Sequence, residues 1–97
     1  ICAGEAIEFS VTLSASRDSN LLVDYVIDFV KARGGMAPKV YKWKQVQLRE
    51  GESLTIQKRH ILRAQATTYT LYPGLHRLTL QINGKPAGTQ SFDLSIP

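Results

Sequence analysis

Residues 71–94, LYPGLHRLTLQINGKPAGTQSFDL, leave little freedom of local structure. After a Pro73-Gly74 turn, Leu78, Leu80 and Ile82 alternate with Arg77, Thr79 and Gln81, the period of a strand with one apolar face. Asn83-Gly84 then reverses the chain, because both residues tolerate the positive φ of a tight hairpin turn. A second alternating run sets Phe92, Leu94 and Ile96 on one side. A lone hairpin is marginal in water. Its apolar face demands a partner sheet from elsewhere in the chain.

That partner is legible upstream. Ile7, Phe9, Val11 and Leu13 alternate with Glu8, Ser10, Thr12 and Ser14, a half-buried strand. The stretch Leu21–Lys31 fits two periods. Leu22, Tyr25, Val26, Phe29 and Val30 have helical spacing, with Ser19 as a cap and Gly34 as a stop. Leu21, Val23, Tyr25, Ile27 and Phe29 alternate, and β-branched and aromatic residues dominate. Its position between clear strands makes it a long central strand. In VYKWKQVQL the phase changes between Tyr41/Trp43 and Val46/Leu48, so a bulge or sheet switch near Gln45 is expected. Leu54 and Ile56 mark a further strand, and residues 60–70 read as a crossover into the hairpin. Six or seven short strands at this spacing predict an all-β sandwich of about seven antiparallel strands in two facing sheets.

Ninety-seven residues suit one domain with a single core. The only cysteine, Cys2, rules out a disulfide within the chain and a thiolate metal site. No apolar run is long enough to span a membrane as a helix, and no signal-peptide pattern is present. A start at Ile1, not Met, suggests an excised piece of a longer protein or a processed one, and the excised piece is the favoured expectation.

Little in the chain points to chemistry. His76 has the parity of Leu78 and is expected to be a partly buried corner residue bonded to a loop carbonyl. His60, within KRHILR, is expected to be solvated. Asp24 and Asp28 read as the polar members of one strand face. The pattern holds no metal-ligand spacing, nucleophile elbow or phosphate-cradling glycine loop, so no catalytic residue, metal or cofactor is expected.

Charge is the exception. Residues 39–63 hold seven of the chain's twelve Lys and Arg but only two of its eight acidic residues, Glu50 and Glu52. Lys42 and Lys44 share a strand face opposite Tyr41 and Trp43. Lys39, Lys58, Arg59 and Arg63 complete a candidate surface for duplex DNA backbone, where cations give salt-sensitive, sequence-independent affinity. The competing reading is that outward lysines discourage edge pairing.

The segments VDYVIDFVKARG, PKVYKWK and KRH, with YPGLHRLTLQING and the closing SFDL, resemble the immunoglobulin-like domain at the C-terminus of some bacterial DNA alkylation repair proteins. In that family an AlkD-like helical-repeat module carries base excision. The resemblance covers roughly residues 20–95. It implies a non-catalytic, cytoplasmic accessory domain that touches DNA backbone or packs on the helical-repeat domain of the same chain. The alternative is a generic immunoglobulin-like binding module of an exported protein, using a sheet edge.

Overall fold

A computed structural model describes residues 4–62 and 71–95. The six strands are β1 (Ala6–Ser14), β2 (Ser19–Val30), β3 (Met36–Leu48), β4 (Ser53–Ile61), β5 (Gly74–Ile82) and β6 (Lys85–Leu94). They form two antiparallel sheets, β1-β4 and β3-β2-β5-β6. Among the described residues no helix is long and apolar enough to cross a membrane.

The stretch that fits both periods is a strand, and it is central. β2 is bonded by β3 on one side and β5 on the other, so both ladders hold it extended. Its alternating set, Val23, Tyr25, Ile27 and Phe29, is buried between the sheets. Val26 is also buried, on the outer face, which explains why neither period is pure in the sequence.

Asn83 and Gly84 have φ of 52° and 80°, and Ile82 faces Lys85 across them. That is the turn whose twist suits flanking strands. Asn83 also fixes the hairpin tip to β2. Its backbone N–H donates to the Leu22 carbonyl, and its Oδ1 accepts from the Leu22 N–H, both at 2.9 Å.

The expected phase change in β3 is a bulge two residues ahead of Gln45. Val23 pairs with Lys44 and Asp24 with Lys42, so Trp43 is the extra residue. The extra residue lets Tyr41 and Trp43 on one parity, and Val46 and Leu48 on the other, all reach the core. A second bulge, not signalled by the alternation, sets Ala87 and Gly88 of β6 opposite Leu80 of β5. Gly88 has φ 145°, a conformation open to glycine.

The core has two lobes. Leu13, Val23, Val46, Leu48 and Ile56 fill one, while Tyr25, Ile27, Phe29, Leu62, Leu71 and Leu94 fill the other; Trp43 packs against both. His76 has the corner role expected of it. It is fully buried, with Nδ1 3.1 Å from the Gly74 carbonyl and Nε2 3.4 Å from the Val30 N–H. Only the tautomer with its proton on Nδ1 satisfies both contacts. The proposed crossover at 60–70 and the place of Ile96 fall mostly outside the described residues.

Candidate nucleic-acid interface

The basic residues do not share one surface. β3 and β4 belong to different sheets, so their charges are not laid side by side by strand pairing. Lys42 is exposed on the outer face of the larger sheet, opposite Asp24. Lys44 is exposed beside the bulge, where it pairs with Val23. The register therefore does not carry the Lys42 face through to Lys44.

Lys39 and Lys58 are half-buried. Lys39 has the parity of Tyr41, with its Nζ 5.6 Å from that ring's centroid, a favourable cation–π placement. Lys58 has the parity of Ile56 and lies on the inward side of β4. Their charges meet at His60, which both perturb. Arg59 faces outward on the small sheet and pairs with Glu8 across the ladder at 3.5 Å. Arg63 lies outside the described residues.

His60 is not solvated. The alternation of β4 runs on from Leu54 and Ile56 through Lys58 and His60 to Leu62, so His60 turns inward. Its Nδ1 lies 2.7 Å from the Tyr25 hydroxyl, its ring stands edge-on to Tyr41 at 4.6 Å, and its Nε2 is buried without a hydrogen-bond partner. Burial holds its pKa below the ordinary 6.5, helped by Lys58 and then Lys39. Burial also raises the Tyr25 hydroxyl, so that group stays a donor toward Nδ1. The signal for this site was present in the parity of β4, but two flanking cations masked it.

This arrangement has a pH signature. Below its ordinary pKa the unfolded chain protonates His60 while the folded chain resists, so stability falls as pH drops below about 6.5. The slope from this one group is at most ~1.4 kcal/mol per pH unit. Thermal melts from pH 8 to pH 5.5 check it. The wild type should lose Tm over that range, and His60→Gln should flatten the dependence.

Asp28 bonds Arg77 at 3.5 Å across the outer face, as a polar strand-face residue does. Among the described residues no group of three or more His, Cys, Asp or Glu could hold a metal ion. Lys39, Lys42 and Lys44 lie along edge strand β3 of the larger sheet, and Lys58 on the inward side of β4.

The family model described as "Uncharacterised protein YhaZ, C-terminal Ig-like domain" matches residues 1–96. The chain belongs to this family. YhaZ of Bacillus subtilis (strain 168) is 34% identical over 94 residues, which span 97% of this chain and 26% of that protein. Among solved structures, Pseudomonas fluorescens alkylpurine DNA glycosylase AlkC, bound to DNA containing an abasic-site analogue, superposes with a TM-score of 0.91. It is 38% identical, over 98% of this chain and 27% of that one. A β-glucosidase from Listeria innocua matches with a TM-score of 0.77 at 16% identity, over 98% of this chain and 14% of that one; this likeness is one of fold. The chain thus spans about a quarter of the YhaZ and AlkC chains, and is the immunoglobulin-like C-terminal domain of a YhaZ/AlkC-like protein.

Proposed function

We propose that this YhaZ-family domain is a non-catalytic accessory module of a cytoplasmic DNA alkylation repair enzyme, and that it contacts duplex DNA backbone through its β3/β4 flank. The observation that carries the reading is the similarity to AlkC, a DNA glycosylase whose structure was solved on DNA, supported by Lys39 and Lys58, whose charges meet at His60, and by Lys42 and Lys44 exposed along edge strand β3. Lysines act on phosphates as mobile point charges, without reading sequence. Arg59 contributes less, because Glu8 already engages it.

Fluorescence anisotropy on a duplex with the full-length protein tests this. The Lys39, Lys42, Lys44 and Lys58→Gln variant should bind more weakly to every duplex sequence alike, and Arg59→Gln should bind nearly as wild type. Wild-type affinity in the quadruple variant overturns the DNA contact.

A specific observation favours packing on the helical-repeat domain as well. On the outer face of the large sheet, Val40 faces the buried Val26, and Leu22, Val40 and Leu75 are each more than half exposed. The Asp24–Lys42 and Asp28–Arg77 rows separate these apolar positions, and a mixed face of this kind suits an interface within the longer chain. Val40→Asp should then loosen the full-length protein, seen as earlier proteolytic release of this domain, without lowering the domain's own Tm.

A further inference from the structure

Among the described residues, two sheets of unequal width leave part of the sandwich uncovered. The two strands β1 and β4 face four. Between the free side of β1 and the β5–β6 hairpin runs a groove of about 520 Å³, lined by Phe9, Val11, Tyr25, Leu78, Leu80 and Ala87 among others. Phe9, Val11, Leu78 and Leu80 have the inward parity yet stay only half buried, whereas Tyr25 and Ile27 in the covered centre are 2% and 0% exposed.

The backbone of β1 makes the same point independently. Among the described residues β1 pairs with β4 alone, in an unbroken register from Ala6↔Ile61 to Ser14↔Ser53. Its other side carries a row of donors and acceptors. Exposed edges are normally guarded by Lys, Pro or a bulge, and Ala6–Ser14 has none of these. In the immunoglobulin layout, strands A, B, E and D share one sheet while C, F and G, with C′ in variable types, form the other. The strands β1 to β6 occupy positions B, C, C′, E, F and G in chain order. Among the described residues, position A beside β1 and position D beside β4 hold no strand, and the groove lies on the β1 side.

We propose that an extended segment of the longer polypeptide, on the N-terminal side of Ile1, adds to the free edge of β1 as a third strand of the small sheet. Its alternate side chains, apolar by this account, fill the groove over Phe9, Val11, Leu78 and Leu80. Two facts select that occupant. The family is defined as a C-terminal domain, and the matched segment is 26–27% of the YhaZ and AlkC chains, so most of such a chain precedes it. A segment joined directly to β1 also closes the shortest loop and so loses the least entropy. The added strand joins the sandwich to the preceding domain by ladder hydrogen bonds, whether or not the β3/β4 flank touches DNA.

Hydrogen exchange on the full-length protein decides it. All β1 amides from Ile7 to Leu13 should be protected. When the dozen or so residues before Ile1 are replaced by a Gly/Ser linker of equal length, every second amide should lose protection while the β4-facing ones keep theirs. Alternating protection already present in the full-length protein overturns the proposal. So does uniform protection that survives the linker replacement, or that appears only as protein concentration rises, since another segment or a second copy then supplies the strand.

Discussion

Tyr25→Ala should lower the melting temperature of the domain by at least about 12 °C. Removing a large buried ring costs on the order of 3–5 kcal/mol, and each kcal/mol shifts Tm by about 4–8 °C in a domain of this size. Tyr25 sits at the centre of the aromatic cluster. Phe9 and Trp43 meet its ring edge-on at 5.2 and 6.0 Å, and Tyr41 stacks on it at 5.2 Å. The hydroxyl is a separate element, because it bonds His60 Nδ1. Tyr25→Phe keeps the ring and deprives Nδ1 of that donor, for a cost of about 1–3 kcal/mol. Thermal denaturation of the two variants separates ring from hydroxyl. Equal losses would contradict the division made here.

His76→Leu should be the second most damaging change. The imidazole fills a site of zero exposure between Phe29, edge-on at 5.8 Å, and Phe92, stacked at 5.3 Å. Leucine fills much of that volume but bonds neither the Gly74 carbonyl nor the Val30 N–H. A part-buried backbone group left without its partner costs about 1–3 kcal/mol, and here there are two. The damage is local in origin. Gly74 has φ 137°, and an added Cβ would already meet Val30 Cγ2 at 3.4 Å, so the corner has little room to rearrange. Urea denaturation should show a lower midpoint with an unchanged m-value. A variant as stable as wild type would show that the two hydrogen bonds contribute nothing net.

These two residues also mark what the chain reveals before it is folded. The hairpin, its Asn83-Gly84 turn and the corner role of His76 were legible, because each is fixed by residues within a few positions. The long strand β2 was legible only through its neighbours, since Val26 interrupts the alternation from the outer face. The bulge at Trp43 could be anticipated from the change of phase but not located to the residue, because register depends on the opposing strand. Strand order was not legible, and it governs the candidate interface. The basic run looks continuous along residues 39–63, yet β3 and β4 fall in different sheets. Arg59 turns outward to Glu8, Lys58 turns inward, and the bulge interrupts the face expected to join Lys42 to Lys44. His60 was misread because flanking cations suggested a solvated loop, whereas the parity of β4 carries it inward to Tyr25.

Where Lys39, Lys42, Lys44 and Lys58 contact DNA phosphates as proposed, the salt dependence of binding measures it directly. Each phosphate neutralised contributes about 0.9 to the slope of log affinity against log salt concentration on duplex DNA. The full-length protein and its four-lysine→Gln variant should be titrated on one duplex across a range of salt concentrations. The variant's slope should be shallower by about 0.9 for each lysine that touches a phosphate, so that the two lines converge at high salt. Parallel lines of equal slope would contradict it.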